Sequence, residues 1–304
     1  MSEAVVIDAH VDTEPQLAAR DQSGPSRWRQ LLRSPLMVAG SGLVGLVVAA
    51  GVFAPWLSRY DPRAVSGRAL EQPSAQHWLG TDIPGRDIFA QLLFGARVSL
   101  VVAIVAGSLA MAGALLVGVL PVLLGGFADA ASNRLTVFLL ALPGLPLLVL
   151  IGSLAGKNQL AIILAITVPG VAYNARILRG QALVLRESGF ISAARGFGAG
   201  PLYVLRRHLV PGLGPLILVG FVYWAGLAIG LQASLAFLGL GDPSGISWGL
   251  MLNRALSQPS IYFSPMWVWW VLPAGLAVTF TVLGFTFVGV ALEPAFNPRW
   301  LRSS

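Results

Sequence analysis

The chain has 304 residues, 56% of them hydrophobic and only 11% charged, and a net charge of +7 from 20 Lys+Arg against 13 Asp+Glu. A soluble domain carries about 25% charged residues, and the buried fraction of a globule rises too slowly with size to hide this much apolar surface. The composition therefore excludes a soluble or disordered chain, and the absence of cysteine excludes disulfides, thiolate metal sites and iron–sulfur clusters.

Residues 1–34 carry five acids and four arginines and read as a cytosolic tail, without the basic start and immediate apolar core of a cleavable signal. A helix crossing the hydrocarbon needs about 20 apolar residues. Six runs meet or approach that length: Leu36–Leu57, Val98–Leu124, Leu135–Ala155, Leu160–Tyr173, Gly212–Leu240 and Trp267–Leu292. The fourth is the weakest. Pro169-Gly170 interrupts it, and it spans only if Lys157 and Arg176 reach opposite interfaces. Trp267, Trp269 and Trp270 at the head of the sixth run read as an interfacial aromatic belt. With the N-terminus inside, the inner segments hold 13 Lys and Arg and the outer ones 7. The positive-inside rule then predicts both termini in the cytosol. Basic residues lie between apolar runs rather than on an aromatic-interleaved face, so no nucleic acid is expected.

Catalytic and metal chemistry find no support. Gly152-Ser-Leu-Ala-Gly156-Lys157-Asn158 has three residues between its glycines where a phosphate-binding loop has four, and it ends in Asn instead of Ser or Thr. His10, His77 and His208 are far apart and none lies in a span, which excludes a local zinc motif and a buried Ser/His pair. The chain reads as a non-enzyme with no metal site and no cofactor of its own. Gly226-x-x-x-Gly230 is either a helix contact or a chance spacing among 35 glycines. Gln232, a polar group in an apolar run, either lines a pathway or bonds to a neighbouring helix. Gln232 and Ser234 are the candidates for a translocation pathway.

The inner segment 174–210 is basic, yet it contains Phe190, Ile191, Ala193, Ala194, Phe197, Leu202, Val204 and Leu205. Such residues suit a short amphipathic helix that docks on a cytosolic partner. The stretch Glu187 to Gly198, followed after nine residues by His208-Leu209-Val210-Pro211, resembles the Glu-Ala-Ala loop of ATP-binding-cassette (ABC) importer permeases. Ala193, Ala194, Gly198 and Pro211 match. Ser192 stands where the family has Glu, His208 where it has Ile and Val210 where it has Leu. Small alanines let a helix lie close in a groove, Gly198 permits a turn, and Pro211 can start the next membrane helix.

Further strings resemble the dipeptide/oligopeptide/nickel class of these permeases. They are His77-Trp78-Leu79-Gly80-Thr81-Asp82, Gly85-Arg86-Asp87-Ile88-Phe89 and Leu93 to Leu100, then Leu142-Pro143-Gly144, Ser234 to Gly241, Ser247-Trp248-Gly249 and the closing Leu292 to Arg299. The long first outer loop resembles that of the C-type member of the permease pair. The resemblance runs from about Ser34 to Arg299 and implies an all-α, six-helix type I importer permease fold. Its parts are a tail (1–34), a first helix with its outer loop (35–96), a core (97–299) and a C-terminal tail (300–304). It implies one of two permease subunits of an importer for peptides or a related solute, in a bacterial inner membrane. Nickel and glutathione are alternative solutes, and a self-contained channel or ion-coupled carrier is the competing class. The implied partners are a second permease, two cytosolic ATPases that hold ATP and Mg, an extracytoplasmic solute-binding protein and membrane lipid. The implied coupling residues are Phe190, Ser192, Ala193, Ala194, Arg195, Phe197, Gly198 and Pro211, with Arg195, Arg206 and Arg207 as rim charges. The implied outer-loop residues are His77, Trp78, Gly80, Asp82, Gly85, Arg86, Asp87 and Trp248.

Overall fold

The computed structural model describes residues 33–293. The tail expected over 1–34, save its last two residues, lies outside the described residues, as do the closing string beyond Glu293 and the 300–304 tail. In chain order the helices are α1 (Pro35–Leu57), α2 (Ile88–Leu124), α3 (Gly126–Ala141), α4 (Gly144–Ala155), α5 (Gln159–Arg186), α6 (Gly189–Gly196), α7 (Pro201–Phe237), α8 (Trp248–Leu256) and α9 (Met266–Leu292). Five of them (α1, α2, α5, α7 and α9) are long and apolar enough to cross a membrane, and α3 with α4 makes a sixth span if the bent pair is counted as one.

Short polar side chains set the helix starts. Ser34 accepts from the Met37 N–H at 3.2 Å ahead of Pro35, Asp87 from Ala90 at 2.7 Å and Asn158 from Ala161 at 2.8 Å. Each satisfies one of the N–H groups that a first turn leaves unpaired. The Asp87 cap starts α2 ten residues before the expected run, so the boundary drawn at residue 97 falls inside this helix. The third run is broken rather than straight. Proline disfavours the α conformation in the residue before it; Leu142 is extended at φ −76°, ψ 138°, and α3 and α4 bend by 97° around Leu142-Pro143.

Two more expectations are corrected at the opposite ends of the bundle. Trp270 is not part of an interfacial belt; it is 2% exposed and packs with Ile88, Trp248 and Ile261 in the core. Pro211 does not start a helix. The start is Pro201, after the extended Gly200, and Pro211 sits inside α7 directly after a π turn, Leu205–Leu209. Pro121 in α2 likewise follows a π turn, Leu115–Val119. A proline ring clashes with the carbonyl of residue i−4 and offers no N–H to it. The wider turn moves that carbonyl aside, so both helices continue through their prolines.

Close packing rests on small residues, as expected where lipid removes the hydrophobic drive between helices. A Cβ at Gly118 of α2 would lie 2.5 Å from the Ala175 carbonyl oxygen of α5, and one at Gly40 of α1 would lie 2.8 Å from the Gly284 carbonyl oxygen of α9. Gly226 faces Phe285 of α9, where a Cβ would come within 2.6 Å of the phenylalanine Cβ, whereas Gly230 has only an ordinary 3.7 Å neighbour. The glycine pair is thus a helix contact through its first member. α2 runs from the 58–87 loop to the C-terminal end of α5, so the bundle has a loop end and an α6 end, each with its own apolar cluster.

Candidate functional sites at the two ends of the bundle

The segment expected as a coupling loop is helical at both edges: residues 174–186 extend α5, and 201–210 belong to α7. Between them lies α6. Ile191 is fully buried among Val119, Val122, Leu205 and Leu209. On its other side Phe190 and Phe197 are 55% and 93% exposed, beside exposed Ser192 and Ala193 and half-buried Ala194. The helix closes in a Schellman motif. The Ala199 N–H donates to the Ala194 carbonyl and the Gly198 N–H to the Arg195 carbonyl, both at 3.0 Å, with Gly198 at φ +86°. The turn expected at Gly198 therefore needs the left-handed region that glycine enters freely.

Two arginines tie this unit to the end of α2. Arg186 donates to the Val122 carbonyl and Arg195 to the Leu123 carbonyl, each at 2.9 Å, while the Gly125 N–H takes Pro121. Cations suit the C-terminal carbonyls of a helix, which carry its partial negative charge. Arg195, exposed like Arg206 and Arg207, donates one of its N–H groups to the chain's own helix end. Asp129 of α3 and Arg179 of α5 form an ion pair at the same end.

At the loop end, His77, Gly80, Asp82, Gly85 and Asp87 form a hydrogen-bonded cap over the start of α2. His77 Nδ1 lies 2.8 Å from Asp87 Oδ2, whose other oxygen caps α2. Asp82 accepts from the Arg86 N–H at 2.8 Å and from Gln91 Nε2 at 2.9 Å. His77, Asp82, Asp87 and Gln91 are all buried, so the carboxylates are held by partners. Gly80 and Gly85 sit at φ +71° and +87°. Trp248 is buried against Gly95 and donates from Nε1 to the Leu92 carbonyl at 2.9 Å. Trp78 stays half exposed, with the Arg59 guanidinium 5.3 Å over its ring, and the buried Arg86 Nε has no partner among the described residues.

Beside this cap lies a cavity of about 590 Å³, walled by α1, α2, α5, α7 and residues 241–247. Gln232 lines it, 4% exposed, and its Oε1 has no partner among the described residues. Ser234 faces elsewhere and bonds back to the Gly230 carbonyl at 2.9 Å, so the two pathway candidates are not brought together. Asp242, on the cavity's edge, has its carboxyl held below the usual range, first by the Ser244 hydroxyl and then by the Ser244 N–H. Sequence reasoning gave no role to Arg186 or Gln91 and assigned Ile191 to docking instead of anchoring. Arg186 and Ile191 take partners on α2 more than 60 residues away, and Gln91 takes Asp82 across the loop–helix junction nine residues back.

An apolar helix bundle with five or six candidate spans, an exposed amphipathic helix at one end and a hydrogen-bonded loop cap at the other is the architecture of a multi-pass membrane protein. Residues 103–302 match the family described as binding-protein-dependent transport system inner membrane component, and residues 26–77 match the N-terminal TM domain of oligopeptide transport permease C. The chain belongs to this family and is a multi-pass permease subunit of an ABC importer in a bacterial inner membrane, a transport protein that works with ATPase and substrate-binding components. It is 35% identical over 279 residues to a glutathione transport system permease protein of Pectobacterium atrosepticum, covering 90% of each chain. It is 34% identical over 289 residues to a probable D,D-dipeptide transport system permease protein of Escherichia coli K12, covering 94% of each.

Proposed function

We propose that this subunit forms half of the pathway by which short peptides enter the cell, and that α6 is the surface through which ATP-driven motion reaches it. The supporting observation is the division of α6. Ile191 and Arg195 bind it to the bundle, with Arg186 fixing the adjoining end of α5 to α2, while Phe197, over nine-tenths exposed, and Phe190 face outward. An apolar face of this kind on a charged end marks a partner surface, and a rigidly anchored helix passes a push from its partner to α2 and α7. The α6 end is cytosolic and the loop cap extracytoplasmic, with both termini inside, in line with the basic-residue asymmetry. Hydrolysis takes place on two ATPase subunits, which hold ATP and Mg; this chain holds neither. A second permease completes the pathway, and a solute-binding protein delivers at the loop cap. ATP binding and release shift the pair between outward and inward states. The peptide class follows from the glutathione and dipeptide named for the two relatives.

The test is uptake by the co-expressed complex in membrane vesicles. Ala194→Leu overpacks the contact, by about 1–3 kcal/mol. It is expected to leave insertion and permease pairing intact and to abolish ATP-driven uptake, with the ATPases either lost on co-purification or hydrolysing without transport. Full uptake with normally bound ATPases rejects α6 as the coupling surface.

A further inference from the structure

The loop-end cavity carries chemistry that neither the cap nor α6 uses. Its lining includes Arg63 and Arg97 together with Asp61 and Asp242. Among the described residues, ion pairs join only His77 to Glu71 and to Asp87, and Arg179 to Asp129, so none of these four charges has an opposite partner within 4.0 Å. Asp61 and Asp242 each use one oxygen in their own turn, accepting from the Arg63 N–H and from Ser244 at 2.8 and 2.9 Å. Arg97 donates Nε to the Gly51 carbonyl at 2.6 Å and Nη2 to the Val52 carbonyl at 3.5 Å, which leaves Nη1 for the cavity. Gln232, over nine-tenths buried on the same wall, adds an amide whose oxygen is unsatisfied. A buried polar group without a partner costs stability unless something supplies one. The volume falls in the range of small-molecule sites, about 300–1,000 Å³.

Separate cations, separate anions and an open amide on one cavity match a ligand that carries one charge of each sign and an amide between them. We propose that this cavity is a resting site for a zwitterionic short peptide, its carboxylate toward Arg63 and Arg97, its ammonium toward Asp61 and Asp242, and its peptide group on the Gln232 amide. The proposal rests on the peptide reading above and deepens it, by placing a solute site inside this subunit. The Ser244 hydrogen bonds favour the ionised Asp242 at neutral pH, as an ammonium partner requires.

The experiment is equilibrium binding of radiolabelled Ala-Ala to the purified complex in nanodiscs, without the solute-binding protein. Ala-Ala amide and N-acetyl-Ala-Ala serve as ligands lacking one charge. Saturable binding of Ala-Ala is expected. Arg63→Gln should weaken Ala-Ala by roughly tenfold, the size of one charge-assisted hydrogen bond, and leave Ala-Ala amide unchanged. Asp242→Asn should weaken Ala-Ala similarly and leave N-acetyl-Ala-Ala unchanged. Gln232→Leu should weaken all three ligands. A variant that merely misfolds weakens every ligand alike, so the pairing of charge with ligand separates recognition from structure. No saturable Ala-Ala binding by wild type, or losses in the Arg63 and Asp242 variants that ignore the ligand's charge, overturns the proposal. So does displacement of Ala-Ala in neither direction by charge but saturation of the cavity by dioctanoyl phosphatidylglycerol, which assigns it to lipid headgroups. ATP-driven peptide uptake without binding here leaves the peptide reading standing and removes this site. Binding here without any peptide uptake does the reverse.

Discussion

Gly198 and Gly118 resist substitution for different physical reasons. A Cβ at Gly198 meets nothing within 4 Å, so the objection to a side chain is its φ of +86°, a cost of about 1–2 kcal/mol for most residues. At Gly118, inside the π turn, φ is outside the left-handed region, and the objection is the Ala175 carbonyl at 2.5 Å. Gly118→Ala should separate α2 from α5, cost about 1–3 kcal/mol and lower the Tm of the purified complex. Gly198→Val should leave that Tm near wild type and lower ATP-driven uptake. Equal effects on Tm would refute the distinction. Arg97 offers a second test at this scale. Pro55 has no N–H for the Gly51 carbonyl four residues back, and Arg97 Nε takes its place at 2.6 Å. Arg97→Met should therefore destabilise by about 1–2 kcal/mol, and markedly less in a Pro55→Ala background that restores the N–H. Identical losses in both backgrounds, measured by thermal unfolding, would separate the two residues.

At the scale of elements, α6 depends on one inward side chain. Ile191→Ala should cost about 2–5 kcal/mol of packing beneath the helix. Hydrogen exchange should accelerate across residues 189–200 while α2 keeps its protection; unchanged exchange over α6 would show that the arginines alone hold it. Elements differ in how far a sequence betrays them. The apolar runs gave the spans, because length and hydropathy are local properties. The break between α3 and α4 was also locally written, in a proline that drives Leu142 extended, yet hydropathy continues smoothly through it. The inward turn of Trp270 was not written locally: an aromatic at the head of a span looks the same whether it meets headgroups or Ile88 and Ile261. In the same way the exposed Phe197 and buried Ile191 are both apolar residues of one basic segment, and only the position of α2 and α7 tells anchor from contact.

For the whole molecule, orientation is the property on which the coupling argument depends. A reporter fused after Arg195 should read cytosolic and one fused after Ser66 extracytoplasmic, and the opposite pattern would reverse the roles of the two ends. The site at the α6 end was legible as a motif with a turn glycine, since those residues are close in sequence. The cavity was legible only as Gln232, because its charges come from the 58–87 loop, from α2 and from the 241–247 turn. The two π turns carry a consequence for chain length. An α-helix advances about 100° per residue, but a π turn takes in one residue more than an α turn over about the same rotation, so each wide turn absorbs an extra residue without turning the helix beyond it. Deleting one residue from Leu115–Val119 would therefore restore the ordinary repeat with the Val122 and Leu123 carbonyls still facing Arg186 and Arg195, and would set the Pro121 ring against the carbonyl four residues back. Such a deletion should insert normally and keep α6 protected from proteolysis near Arg195, whereas a one-residue deletion from the regular turns at 103–107, which hold no extra residue, should turn those carbonyls away and release α6. At these two places the chain carries a residue more than the helix's turn needs, while in the regular turns around them its count is fixed.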